Sequence, residues 1–182
     1  MTTISIVAGQ GVATARLVER LARQGSRVKV AADATTAADL IVQPADVLIL
    51  TGATAGAVGD DWRLGLKSEP VLMASDLPAK IAAKLVILDV PDGGALAQVV
   101  AARLAPGSIV LHSPHTKGGK DFLEDSTHVL PEFITTVYDR FGRDAEELLG
   151  SWLEVEAALR KAASGVLQRR REPAPYRVVR FV

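Results

Sequence analysis

Short aliphatic and β-branched runs alternate with amphipathic stretches through most of the chain. "TISIVA" (3–8) is an apolar run that stops at a glycine, the pattern of a buried strand. After it, Val12, Ala13, Leu17, Val18, Leu21 and Ala22 fall on one helical face, and Arg16, Glu19, Arg20 and Arg23 cover the other. Glu19 and Arg23 are spaced for an i,i+4 ion pair, and Gly25 stands where a helix C-cap belongs. "RVKVAAD" (27–33) predicts a second strand ending at Asp33, "TTAADLIVQ" a short helix, and "ADVLILTG" (45–52) a third strand. The polar, glycine-bearing stretch 52–70 reads mostly as loop. Beyond it the pattern predicts a strand over "PVLMA" (70–74), a short helix over "DLPAKIAAK" (76–84) and a central strand over "LVILDVPD" (85–92). A helix over 94–104 and a strand over "SIVLHS" (108–113) follow, joined by the Pro106-Gly107 turn. Strands and helices in alternation imply an α/β fold: a mainly parallel sheet with helices on both faces.

From residue 114 the character changes. Residues 131–142 fit a strand or a helix, and 144–168 predicts a helix with Leu148, Trp152, Val155, Leu159, Ala162 and Val166 on a narrow seam. Such a seam packs against one other element, either the chain's own or that of a homodimer or partner protein. "QRRREPAP" is a charged, proline-broken linker, and "YRVVRFV" a short terminal strand or an ordered tail. The expected organisation is one domain over 1–125 and a short helical C-terminal extension over 126–182.

Composition narrows the function classes. Of 182 residues 48% are hydrophobic, enough for a sizeable core, and Lys+Arg and Asp+Glu are both 21. The balanced charge offers no basic face for nucleic acid, and Arg169 to Arg171 read as a solvated run. There is no cysteine, which removes disulfides, thiolate metal sites and cysteine nucleophiles. No basic, apolar leader opens the chain, and no apolar run approaches the ~20 residues that span a bilayer. A cytoplasmic protein without nucleic-acid or membrane partners is the expectation.

The first candidate chemistry lies in "VAGQGVATARLVERLARQG" (7–25). A strand feeding a helix through Gly9-x-Gly11 presents amide N–H groups at a helix start, where the dipole favours an anion. Gly9, Gln10, Gly11 and Val12 would hold a pyrophosphate, and Asp33, about 20 residues on, would accept hydrogen bonds from an adenosine ribose. The charge of Asp33 repels a 2′-phosphate, so NAD is favoured over NADP. Thr14 replaces the third small residue of such a fingerprint. "TGATAG" (51–56) also resembles the glycine-rich turn of short-chain dehydrogenases. A Tyr-x-x-x-Lys pair is missing, however, since Gly142 stands four residues after Tyr138. Asp60 and Asp61 read as solvated loop carboxylates.

The segment 85–119 carries a family resemblance. Val90-Pro91-Asp92 closes a strand and leads to a helix, Pro106-Gly107 with Ile109-Val110 forms a turn and strand, and His112-Ser113 with Gly118-Gly119 follows. With the 3–33 unit, this resembles the Rossmann-like NAD(P)-binding domain of the 6-phosphogluconate dehydrogenase-like superfamily, which includes deazaflavin-dependent NADP reductases and prephenate dehydrogenases. The resemblance implies bound NAD or NADP, with the backbone at Val90, Pro91 and Asp92 lining the cofactor cleft, and a small-molecule substrate. Members of that group continue into a large helical domain that builds the substrate site. Here the 126–182 extension follows instead, which implies an abbreviated substrate site or one that a partner completes.

"HSPHTKGGK" (112–120) would lie at the carboxyl edge of the sheet. His112 is the candidate acid–base residue, with His115 beside it, and Lys117 and Lys120 could meet an anionic substrate. A polar surface loop explains the same residues, and two imidazoles without a third ligand do not predict a metal. Two functions stay open: an NAD(P)-dependent oxidoreductase or its cofactor-binding subunit, and a non-catalytic Rossmann-like partner or assembly protein that has lost its ligand.

Overall fold

The structure, a computed structural model, describes residues 1–9, 12–55, 62–65, 69–91, 93–112, 127, 129–135, 157, 161 and 177–180. Its centre is a six-stranded sheet in the order β2-β1-β3-β7-β8-β9. These strands are β1 (Thr3–Ala8), β2 (Arg27–Ala31), β3 (Ala45–Thr51), β7 (Ala83–Asp89), β8 (Ile109–His112) and β9 (Arg177–Arg180). The first five run parallel, and β9 closes the edge antiparallel to β8. The fold is α/β and Rossmann-like.

The strands read as near-continuous apolar runs because both faces of the sheet are buried, and successive side chains go to opposite sides. Ile4, Ile6 and Ala8 of β1, Val47 and Ile49 of β3, and Leu85 and Ile87 of β7 join one core. Val7, Leu48, Leu50, Val86 and Leu88 join the other. The first core is covered by α1 (Val12–Arg23) through Leu17, Leu21 and half-buried Val18, and by helical residues 129–135 through Val129, Leu130, Phe133 and Ile134. Ala22, expected on the buried face of α1, is exposed. The second core is covered by α2 (Ala34–Ile41) and α3 (Gly93–Ala101). Among the described residues, no helix is long and apolar enough to cross a membrane.

Local signals account for the helix ends. Gly25, at φ +81°, ends α1 in a Schellman arrangement: its N–H donates to Ala22 and the Ser26 N–H donates to Leu21. The Glu19–Arg23 pair forms, with both side chains largely exposed, so it adds little stability.

Three expectations are corrected and one is refined. The strand after α1 ends at Ala31 rather than Asp33, because the Asp33 side chain caps α2. Within 52–70, read mostly as loop, two short strands β4 (Thr54–Ala55) and β5 (Arg63–Gly65) pair, and β5 pairs in turn with β6 (Pro70–Met73). The β6 strand therefore belongs to a separate antiparallel three-stranded sheet, anchored in the second core by Trp62, Leu64, Val71 and Leu72, and not to the parallel sheet. No helix spans 76–84. A 3-10 turn at Ala74–Asp76 ends where Pro78 follows Leu77, and Ile81 then makes a strand-like bridge to Leu104.

Beyond residue 125, residues 129–135 and β9 are tied to the same core and sheet, and Thr135 Oγ1 donates to Gln24 Oε1 at the end of α1, 2.9 Å away. Of the stretch 131–142 that the pattern left between strand and helix, 131–135 are helical and the rest lies outside the described residues. The helix expected over 144–168 lies outside the described residues apart from Ala157 and Lys161, which are helical and exposed.

Candidate functional site

The strand order brings a crevice to the carboxyl ends of β1 and β3. The chain leaves β1 for β2 on one side and later returns to β3 on the other, so the connections diverge there. Open α/β folds bind ligands at such a reversal. Gly9 follows β1 and Gly52 follows β3, and the Gly9 N–H donates to the Thr51 carbonyl at 2.9 Å. The two backbones nearly touch: a Cβ on Gly52, whose φ is +129°, would lie 3.1 Å from Gly9 N and Cα. Gly65 of β5 closes in from above, its Cα 3.6 Å from where a Cβ of Gly9 would be. The three glycines allow the small sheet to sit directly over the end of β1.

Beneath this contact a buried pair ties β3 to β7. Thr51 Oγ1 donates to Asp89 Oδ2 at 2.7 Å, both residues being buried, and the Gly52 N–H donates to the Asp89 carbonyl at 3.3 Å. The pairing joins the last residues of neighbouring strands, Thr51 opposite Asp89.

Beside Gly9 lies a cleft of about 400 Å³. It is lined by Ala32, Asp33 and Ala34 from the turn between β2 and α2, and by Ala53, Gly65, Glu69, Pro70 and Val71 from the exit of β3 and the small sheet. The Gly65 N–H donates to the Ala53 carbonyl at 2.9 Å, which ties the small sheet to the exit of β3. A volume of this size is in the range that small-molecule sites occupy.

Asp33 is fully exposed on this cleft and already has a structural task. Its Oδ1 accepts the Thr36 N–H at 3.0 Å and its Oδ2 the Thr36 hydroxyl at 2.6 Å. The Thr36 hydroxyl first, and then the backbone donors, hold its carboxyl below the usual carboxylate range. An ionised carboxylate has acceptor capacity for more than these two bonds, so a ligand hydroxyl can still be received.

The residues singled out in the sequence are only partly brought together. Gly9 and Asp33 share the cleft. Val12 opens α1, and Thr14 on the next part of that helix is half-buried, so its Cβ branches are not forced into a fully closed seam. Val90 is buried in the second core, with Pro91 in the turn after it, and neither lines this cleft. His112 ends β8, half-buried, against the start of α3; a Cβ on Gly94 would lie 3.2 Å from its ring. Gln10, Gly11, Asp60, Asp61, Asp92, His115, Lys117, Lys120 and the Arg169 to Arg171 run lie outside the described residues.

Sequence reasoning missed Gly65, Glu69 and the Thr51–Asp89 pair. Gly52 was visible as the glycine that ends the β3 run. Nothing in the order of residues says that β5 folds back onto Gly9. The chain matches no protein-family model and no curated protein sequence.

Proposed function

We propose that the protein binds NAD or NADP in this cleft, as an oxidoreductase or the cofactor-binding subunit of one. The observation that carries the reading is the meeting of Gly9 and Asp33 on one cleft at the carboxyl end of a parallel sheet, beside its reversal point. Gly9, which lines the cleft just before α1, has no side chain to fill it, which suits a diphosphate near a helix start. Asp33 is positioned by its cap to accept hydrogen bonds from the ribose. The wall formed by Pro70 and Val71 offers an apolar surface for the base.

When bound, the nicotinamide supplies the hydride chemistry, and the protein's share is placement and the exclusion of water. The resemblance would have the backbone at Val90, Pro91 and Asp92 line the nicotinamide end, yet Val90 is buried and neither it nor Pro91 lines this cleft; His112 would be the candidate proton donor.

A second reading, a non-catalytic Rossmann-like partner protein, draws on one observation. His112 lies against Gly93 and Gly94 rather than on the described cleft. A homodimer or a partner engaged through 144–168 belongs to either reading.

Calorimetric titration with NADH and NADPH tests the proposal, with Gly11→Val and Asp33→Asn as controls. Micromolar NADH binding that Gly11→Val abolishes is the expected result. Failure of both dinucleotides to bind would leave the partner-protein reading.

A further inference from the structure

Glu69 is a second carboxylate-bearing residue lining the same cleft as Asp33, and it stands just before β6 of the small sheet rather than in the β1–α1–β2 unit. Its backbone is well fixed. It precedes Pro70, which confines it to extended conformations. Gly65, at φ +100°, forms the bulge that pairs with Pro70, and a Cβ on Gly65 would come within 3.4 Å of the Glu69 carbonyl and 3.3 Å of Val71. The residue is exposed and lines the cleft.

Asp33 and Glu69 line one cleft of about 400 Å³, and a charge is felt over roughly one Debye length, about 8 Å in physiological saline. Both carboxylates therefore act on any charged group held there. Among the described lining residues there is no lysine, arginine or histidine to offset them.

We infer that Glu69 is a specificity-determining residue that, together with Asp33, makes the cleft select a nucleotide with an unphosphorylated ribose and reject one bearing a ribose phosphate. The inference rests on the nucleotide-binding reading above and adds to it the residue and the chemistry of the discrimination. A phosphate of about −2 charge, roughly 8 Å from one carboxylate in water-like dielectric, is disfavoured on the order of fivefold per carboxylate at low salt.

The experiment measures binding of ADP-ribose and of 2′-phospho-ADP-ribose by calorimetry, at low and at high salt, to the full chain and to Glu69→Gln, Asp33→Asn and the double variant. Both substitutions keep the shape of the side chain, and asparagine still caps α2. The expected result is that the wild type prefers ADP-ribose and that Glu69→Gln narrows the preference about fivefold, by strengthening binding of the phosphorylated probe. Asp33→Asn should act similarly, the double variant should narrow the preference further, and high salt should shrink every difference. An unchanged preference in Glu69→Gln, with ADP-ribose still bound, overturns this inference and leaves the nucleotide-binding reading standing. So does an equal loss of both probes, which would make Glu69 a ligand hydrogen-bond acceptor and not a charge filter. Failure of the wild type to bind ADP-ribose overturns both.

Discussion

Gly52 offers the sharpest test of how the site is built. Its φ of +129° lies outside the conformations that side-chain-bearing residues adopt, and its missing Cβ leaves room for Gly9 Cα and N at 3.1 Å. Alanine there faces two costs. Holding it at that φ costs about 1–3 kcal/mol. The new methyl also presses on backbone, which cannot swing aside as a side chain would, adding about 1–3 kcal/mol of overpacking. Gly25 provides the control, since it has φ +81° and nothing within 4 Å of a Cβ, so Gly25→Ala carries only the conformational cost, about 1–2 kcal/mol. Urea denaturation followed by circular dichroism should place Gly52→Ala below Gly25→Ala by at least about 1 kcal/mol. In a chain of this size that corresponds to a further drop in Tm of roughly 2–4 °C. Equal losses for the two variants would refute the close contact between Gly9 and Gly52.

Other variants probe the supports of the site. Thr51→Val removes a donor to buried Asp89, and loss of a buried hydrogen bond of this kind costs about 1–3 kcal/mol. Asp89→Asn, which keeps an oxygen for Thr51, should cost less in the same denaturation assay. Phe133→Ala should lose about 3–5 kcal/mol, because the ring is fully buried in the core under α1; a loss below about 1 kcal/mol would mean that 129–135 does not complete that core. Asp33 has a lowered folded pKa, so its capping contribution is complete above the ordinary carboxylate range and disappears as pH falls through the folded value. Acid titrations should therefore show the wild type losing stability relative to Asp33→Asn below the usual carboxylate range, with the two alike at neutral pH. Gly94→Ala would push a methyl toward the His112 ring, which now stands 3.2 Å from that point. The histidine's proton resonances should shift while β1 signals stay fixed.

How much of this the residue order discloses depends on the range of the interactions. Strands β1, β3, β7 and β8 are apolar on both faces, and α1 has a clear amphipathic stripe with a glycine stop, so local pattern suffices for them. The small sheet was hidden because its strands are short and its pairing depends on a bulge at Gly65 and on burial of Trp62, neither of which has a periodic signature. Asp76 to Lys84 misled for a related reason. Alanine and lysine favour helix, but Pro78 and the bridge from Ile81 to Leu104 override that propensity. In the site, Asp33 was recognisable from its distance to the glycine turn, whereas its duty as the cap of α2 depends on Thr36, three residues on. Glu69 carried no signal at all, since only the tertiary fold brings it to the same cleft as Asp33.

The central claim is that a dinucleotide occupies the cleft between the β2–α2 turn and the small sheet. The most direct measurement is a map of backbone amide shifts on adding NADH to the isotopically labelled protein. The account predicts changes at Gly9, at Ala32 to Ala34, and at Gly65, Glu69 and Val71. It also predicts silence at Lys80, Lys84 and Ser108, which line a separate groove at the opposite, amino end of the sheet. Shifts confined to that opposite groove, or no shifts at saturating NADH, would contradict it.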